Sequence, residues 1–157
     1  MGVTLKPPFT YFGGKTINAG RIAALLPAHG HYVEPYCGSL AVLLAKSRSG
    51  METVNDLDRA LITFWRVLRE RPAELARRCA LTPHSLAEFR DAEDVDAAGD
   101  ELETARRIWI RLTQGRAGTL CEGFQCVLIE QNPSSAELIK TRLSKPIQPA
   151  MFGIEAS

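Results

Sequence analysis

The pattern of apolar and polar positions in the first 72 residues predicts strands that alternate with helices. Residues 31–36 (HYVEPY) are typical of a short buried strand, and residues 51–58 (METVNDLD) of a second strand that ends in an acidic turn. Residues 38–47 are apolar enough for a helix that packs on a sheet, and residues 58–72 predict an amphipathic helix. This order and spacing are typical of a right-handed parallel crossover unit.

A short helix is expected before this unit and a longer helical region after it. The first helix follows a Pro-led loop with a Gly-Gly-Lys turn, and Pro27 ends it. Its apolar side is expected to consist of Ile17, Ile22, Leu25 and Leu26. Residues 72–114 are helical in pattern, with an acidic loop or helix end at 91–100. The stripe of Leu102, Ile108, Trp109 and Leu112 in the last helix is expected to lie in the core.

Residues 123–130 (GFQCVLIE) again have the pattern of a buried strand, and a capped helix is expected after it. The fold class predicted from these elements is α/β, with a helical insertion in an incomplete sheet. Residues 1–120 are expected to form the main part of the domain. Residues 121–157 are expected to add a strand and a helix to it.

Composition and charge narrow the class of protein without identifying it. The chain has 157 residues, 45% of them hydrophobic, which is enough for one domain with a core, and its net charge is +1. Contact with nucleic acid would therefore need a local basic patch. Four cysteines without paired spacing favour free thiols in a reducing compartment. No apolar run approaches the roughly 20 residues of a membrane span, so a cytoplasmic protein is expected.

Polar groups that suit a nucleoside ligand follow both predicted strands. The first strand ends at Glu34 and opens into a tight turn at Gly38, and the second ends at Asp56, 22 residues after Glu34. Ligands of doubly wound sheets bind beyond the carboxyl ends of the strands, and a carboxylate there accepts hydrogen bonds from both ribose hydroxyls. Upstream, residues 9–15 offer aromatic faces, the amides of two glycines and the ammonium of Lys15, which suit an adenine ring or a carboxylate.

Each of these features also has a structural interpretation. Glu34 is compatible with an ordinary carboxylate at a strand end, and Lys15 with an exposed lysine near a turn. Asp56 is compatible with a cap of the following helix, with Asp58 in its first turn. Their order and spacing together favour the functional interpretation.

The three segments FTYFGGK, YVEPYCGSLAVLL and ETVNDLDRALITFW together resemble the Dam-like family of DNA adenine methyltransferases, over roughly the first 120 residues. The resemblance implies a Rossmann-like methyltransferase domain, S-adenosylmethionine as cofactor and double-stranded DNA as substrate. The cofactor-binding residues that it implies are Tyr11, Gly13, Gly14, Lys15, Glu34, Pro35, Tyr36, Gly38 and Asp56. In the family Asp56 would bind the ribose.

One departure from the family pattern is visible, because the glycine often found two places after Gly38 is Leu40 here. Leucine there would either narrow the cofactor cleft or deepen the packing of the helix.

The catalytic half of this family is not matched. Its members flip the target adenine out of the duplex and hold its amino group with an Asp-Pro-Pro-Tyr tetrapeptide, which the sequence does not contain. The nearest segment is Asn132-Pro133, and VLIEQNPSSAELIKTRL resembles another group of amino-methyltransferases, in which Glu130 would serve the cofactor ribose. Asn132 is equally compatible with a helix N-cap that has Pro133 at the first helical position. Catalytic residues are therefore not assigned.

We expect a family member that is truncated and that has weak or no activity alone. The alternatives are a non-catalytic module that binds cofactor or DNA, and half of a split enzyme whose partner chain supplies the missing tetrapeptide. A small-molecule or protein methyltransferase is disfavoured by the Gly-Gly-Lys segment. A cluster of arginines, consisting of Arg106, Arg107, Arg111 and Arg116, is interpreted either as a phosphate-binding face or, preferably, as a solvated helix face.

Overall fold

The structure is a computed structural model, and it describes residues 5–95 and 98–116. The described part of the chain contains six helices and two strands, in a mixed helix–strand arrangement. In chain order they are α1 (Ala19–Ala24), β1 (His31–Glu34), α2 (Ala41–Ala45), β2 (Met51–Val54), α3 (Arg59–Glu70), α4 (Pro72–Ala80), α5 (Leu86–Asp91) and α6 (Glu101–Gln114).

The two strands pair in parallel, as predicted from their spacing, with His31 opposite Met51 and Glu34 opposite Val54. The backbone hydrogen bonding between the strands continues one residue past β2, where the Asn55 N–H donates to the Glu34 carbonyl at 3.0 Å. The expectation that the first strand is buried is wrong, since Val33 is 52% exposed and Glu34 is the one buried residue of β1. Because the described sheet has two strands, too few elements pack against it to bury both of its faces.

The main core lies between α3 and α6. Asp58 caps α3 by accepting hydrogen bonds from the backbone N–H groups of Ala60 and Leu61, which explains why the helix begins there. The helix ends at Glu70, before Pro72, as the pattern predicted. The buried cluster that joins the two helices contains Leu61, Phe64, Val67, Leu102, Ala105, Ile108 and Leu112. The predicted stripe of α6 is thereby confirmed, with Trp109 partly buried against the same cluster.

The apolar side expected for the first helix forms only in part, since Ile22 and Leu26 are partly buried. Ile17 precedes α1 and is 98% exposed, and Leu25 at its C-terminal end is 76% exposed. The buried residue of α1 is Ala19. A helix of six residues makes fewer than two turns, so one face cannot collect the four apolar side chains that the sequence pattern assigned to it.

The expectation of a solvated arginine face is wrong for the three arginines of α6, whereas Arg116, which follows the helix, is exposed. The guanidinium of Arg106 donates to Glu103 on its own helix and, at 2.7 Å, to Glu88 of α5. Arg107 also donates to Glu103, and Arg111 lies 5.1 Å from the ring of Phe89. These three arginine side chains are mostly buried among acidic partners, so the described part of α6 offers no free basic stripe for phosphate.

Several sequence-based expectations fall outside the described residues. They concern the strand and helix of residues 121–157, the boundary at residue 120, Glu130, Asn132, Cys121 and Cys126. Within the described part, Cys37 and Cys79 are free thiols, and burial raises the pKa of each to about 11. No helix in that part combines the length and apolar character needed to cross a membrane, and none of its side chains form a metal-binding cluster.

Candidate functional site

A cavity of about 280 Å³ lies where the two parallel strands end. Three separate segments contribute its walls: the loop before α1, the end of β1 with the turn into α2, and Asp56, two residues after β2. The lining residues are Tyr11, Phe12, Gly13, Gly14, Lys15, Glu34, Tyr36, Cys37, Gly38, Ser39, Ala41 and Asp56. The segments that the sequence singled out for their chemistry therefore meet at one place.

Eight of the nine residues implicated by the family resemblance line this cavity, and Pro35 is the exception. Pro35 is exposed, and its carbonyl lies 3.5 Å from the side-chain nitrogen of Asn55. Four further lining residues are not among these nine, namely Phe12, which lies in the segment 9–15 with its aromatic faces, and Cys37, Ser39 and Ala41. Each is next to a position of the family motifs, and adjacency along the chain is the signal that would have found them.

The loop before α1 turns sharply at its two glycines. The Gly14 N–H donates to the Tyr11 carbonyl at 2.9 Å. Gly13 has a φ of +69°, a backbone conformation that residues other than glycine seldom adopt. At Gly14 the constraint is contact, because a Cβ atom would lie 2.7 Å from the Tyr11 carbonyl oxygen. The turn thus requires glycine at both positions for two different reasons.

The turn between β1 and α2 is packed against this loop. Gly38 has a φ of +47°, and a Cβ atom there would lie 3.1 Å from the ring of Tyr11. The ring and the glycine backbone therefore touch directly. Burial and the nearby Asp56 and Asp58 carboxylates raise the pKa of the Tyr11 hydroxyl, so it stays protonated at neutral pH.

Asp56 connects the end of β2 to the Gly38 turn. One of its oxygens, Oδ2, accepts a hydrogen bond from the Gly38 N–H at 2.9 Å, and Oδ1 accepts one from the Asp58 N–H at 3.1 Å. The helix cap is Asp58, so the structural interpretation that Asp56 caps α3 is wrong. An ionised carboxylate has about four acceptor sites, so two of them remain for a ligand.

Glu34 brings a buried carboxylate to the cavity. Its residue is 8% exposed, and its Oε2 atom is buried without a hydrogen-bond partner among the described residues. Burial raises the pKa of this carboxyl group, and the nearby charge of Lys15 offsets part of that rise. A buried acceptor without a donor is costly in a folded protein, so this oxygen indicates a ligand that brings a donor.

Leu40, the departure from the family pattern, adopts the backbone conformation that favours glycine. Its φ is 54° at the N-terminal boundary of α2, a conformation that costs leucine about 1 kcal/mol or more. The side chain is buried, and Leu40 does not line the cavity although its neighbours Ser39 and Ala41 do. Of the two alternatives left by the sequence, the geometry favours helix packing over a narrowed cleft.

The family model of D12 class N6 adenine-specific DNA methyltransferases matches residues 11–102, which is more than half of the chain. The chain belongs to this family. A comparison with curated proteins found no match. The match begins at Tyr11 and includes every residue that lines the cavity.

Membership in the D12 class confirms the resemblance to adenine methyltransferases that the three sequence segments indicated. Enzymes of this class methylate the N6 atom of adenine in DNA, and they generally take the methyl group from S-adenosylmethionine. DNA is accordingly the expected substrate of the class. Within the matched region, the cavity described above is the place where its glycines, its buried glutamate and its strand-end aspartate meet.

Proposed function

We propose that this D12 class chain binds S-adenosylmethionine in the cavity at the ends of β1 and β2, as the cofactor-binding part of a DNA adenine methyltransferase. The observation that carries the proposal is the buried, unpartnered Oε2 of Glu34 in a cavity that Lys15 also lines. An amino acid zwitterion supplies both complements, because its ammonium donates to a carboxylate and its carboxylate accepts from an ammonium.

The other lining residues fit the nucleoside end of the same cofactor. Asp56 retains acceptor capacity for ribose hydroxyls after its bonds to Gly38 and Asp58. A second groove of about 630 Å³ shares Tyr36 and Asp56 with the cavity, which gives a ligand longer than the cavity room to extend. When bound, S-adenosylmethionine supplies an electrophilic methyl group, and the residues of this chain hold and orient it.

A Rossmann-like fold is part of the proposal. The parallel pairing of β1 and β2, and polar residues at the carboxyl end of each strand, support it. We assign residues 1–120 to the cofactor-binding part and residues 121–157 to a strand and helix of the same domain.

We further propose that the chain has little or no methyltransferase activity alone. The support is its sequence, which contains no Asp-Pro-Pro-aromatic tetrapeptide to hold the amino group of adenine. Two arrangements agree with this: a cofactor- or DNA-binding module without catalysis, and half of a split enzyme in which a partner chain supplies the tetrapeptide.

Calorimetry and a methyl-transfer assay test these statements separately. S-Adenosylhomocysteine titrated into the full chain is expected to bind weakly at one site, and no heat of binding would contradict the cofactor proposal. With tritiated S-adenosylmethionine and adenine-rich duplex DNA, the chain is expected to transfer no measurable label. Clear turnover that Asp56→Ala abolishes would contradict the proposed inactivity. DNA binding at moderate salt without cofactor binding would favour the DNA-binding module.

We expect Glu34→Gln to weaken cofactor binding while it stabilises the ligand-free protein at pH 7. Because burial raises the pKa of Glu34 in the folded state, folding carries a cost that grows as the pH rises through the unfolded and then the folded pKa. Glutamine removes that cost, so the variant should have the higher Tm at pH 7 and the same Tm as wild type below about pH 4. Loss of a charged acceptor should raise the Kd for S-adenosylhomocysteine about tenfold.

Glu52→Gln is the matched control for this prediction. Glu52 lies on β2 outside the cavity, and its hydrogen bond to Lys46 at 2.6 Å lowers its pKa. Because the pKa of Glu52 is lowered in the folded state, its effect on stability depends on pH in the opposite sense to that of Glu34: the ionised group stabilises the fold above the unfolded pKa, and this stabilisation is lost on acidification. Glu52→Gln should therefore lower the Tm at pH 7 and leave the Kd unchanged. A Glu34→Gln protein that is less stable than wild type at pH 7 would contradict the assignment.

A further inference from the structure

The peptide groups of Gly38 are held from both sides by residues distant in sequence. Its N–H donates to Oδ2 of Asp56 at 2.9 Å, and its carbonyl accepts from the indole Nε1–H of Trp65 at 2.9 Å. Trp65 belongs to α3, 27 residues further along the chain. The cavity-lining turn is therefore attached both to the end of β2 and to a helix of the core.

Trp65 also reaches the segment that leads into another wall of the cavity, the loop before α1. Its ring centroid lies 5.4 Å from that of Phe9 and 5.2 Å from that of Phe64. Phe9 is buried in the main core and leads directly into the cavity loop. Tyr11, two residues later, places its ring against Gly38. One tryptophan thus contacts two of the three segments that form the cavity walls, without lining the cavity itself.

The hydrogen bond to the Gly38 carbonyl restricts the backbone of the turn more than it would at a residue other than glycine. Glycine visits positive and negative φ almost equally, so Gly38 on its own does not select the conformation with φ of +47°. The Asp56 and Trp65 bonds fix the peptides before and after this residue. The indole donor therefore acts together with the backbone hydrogen bond from Leu40 N–H to the Cys37 carbonyl, at 2.8 Å, in holding the turn in the arrangement that faces the cavity.

We propose that Trp65 is a positioning residue for the cofactor cavity: through the Gly38 carbonyl and the Phe9 ring it holds two of the three wall segments in the geometry that binds the cofactor. This inference rests on the proposed function of the cavity. It assigns to Trp65 a role in ligand affinity beyond its contribution to the hydrophobic core.

The chain contains two tryptophans, Trp65 and Trp109, which provides a matched pair of variants. Trp65→Phe keeps an aromatic ring for Phe9 and Phe64 and removes the N–H donor. Trp109→Phe makes a similar change on α6, in a residue that packs against the core and does not line the cavity. Both variants and the wild type are titrated with S-adenosylhomocysteine by calorimetry, at a temperature where circular dichroism shows all three folded.

Trp65→Phe is expected to raise the Kd about five- to tenfold, as loss of one positioning hydrogen bond would, and Trp109→Phe to leave it within twofold. Tryptophan emission gives a second readout on proteins that keep one indole. In Trp109→Phe, the emission of Trp65 should shift as the ligand binds. In Trp65→Phe, the emission of Trp109 should stay constant.

A Trp65→Phe protein with an unchanged Kd and a lowered Tm would overturn the inference and leave the tryptophan a purely structural role. If Trp65→Phe fails to fold, the Trp109→Phe titration decides: saturation without any change in Trp65 emission overturns the inference. A wild-type chain that binds no ligand overturns the proposed function and, with it, this role. Equal Kd values for the wild type and Trp65→Phe would overturn the role of Trp65 and leave the proposed function of the cavity standing.

Discussion

Replacing Asp56 with asparagine is expected to raise the Kd for S-adenosylhomocysteine about 100-fold, one of the two largest effects that we predict. The carboxylate satisfies two backbone donors, the N–H groups of Gly38 and Asp58, with its two oxygens. Asparagine has one oxygen and one NH₂ group, so one of these backbone donors will face another donor. Together with weaker ribose recognition, this costs about 3 kcal/mol of binding free energy. Calorimetry with the purified full chain measures it.

Asp58→Asn is the control for this substitution, two residues away. Asp58 accepts both of its helix-capping bonds through the same oxygen, Oδ1, from Ala60 and Leu61. Asparagine keeps such an oxygen and is among the best N-cap residues. We therefore expect a Kd within about threefold of wild type. If Asp58→Asn weakened binding as much as Asp56→Asn, the assignment of Asp56 to the ligand would be wrong.

The position of the site was predictable because strand ends converge. Once residues 31–36 and 51–58 are interpreted as parallel strands, Glu34 and Asp56 must lie at the same edge of the sheet. What local pattern did not indicate is that Asp56 holds the Gly38 turn, or that Trp65 holds its other side. These hydrogen bonds join residues 18 and 27 apart, and neither spacing has a periodic signature in the sequence.

Two of the wrong expectations share a physical cause, since both depended on neighbours that local pattern does not specify. Arg106 lies on a helix whose charged positions were interpreted as solvated, but its partner Glu88 comes from α5 and encloses it. Val33 is of a residue type that is common in buried strands. It is exposed because no element packs over it on the described two-stranded sheet. In both cases the tertiary surroundings decided exposure.

Leu40 shows how a departure from a family motif can be read once the backbone is known. The sequence comparison marked this position because a glycine is often found there, and the structure supplies the reason, a φ of 54°. Glycine adopts that conformation without strain, whereas leucine compensates through the burial of its side chain. The residues on either side, Ser39 and Ala41, line the cavity, whereas the Leu40 side chain is buried and does not line it.

Gly14→Ala is the other substitution with a large expected effect, and it acts through the shape of the loop. A Cβ atom at this position would lie 2.7 Å from the backbone oxygen of Tyr11, and a backbone atom cannot move away as the end of a flexible side chain can. The turn closed by the Gly14–Tyr11 hydrogen bond must open, which moves Tyr11 and Lys15 relative to the cavity. We expect the Kd for S-adenosylhomocysteine to rise about 50-fold, which corresponds to about 2.3 kcal/mol and lies within the roughly 1–3 kcal/mol that overpacking typically costs.

Gly20→Ala makes the same chemical change six residues further along, within α1. A Cβ atom there would meet nothing within 4 Å, and alanine favours a helix over glycine by up to about 1 kcal/mol. This control should raise the Tm slightly and leave the Kd unchanged. Because both variants add one methyl group to the same region of the chain, a difference between them isolates the contact with the Tyr11 carbonyl. Equal binding by the two proteins would mean that the loop before α1 takes no part in holding the ligand, and the cavity would then have to act through Glu34 and Asp56 alone.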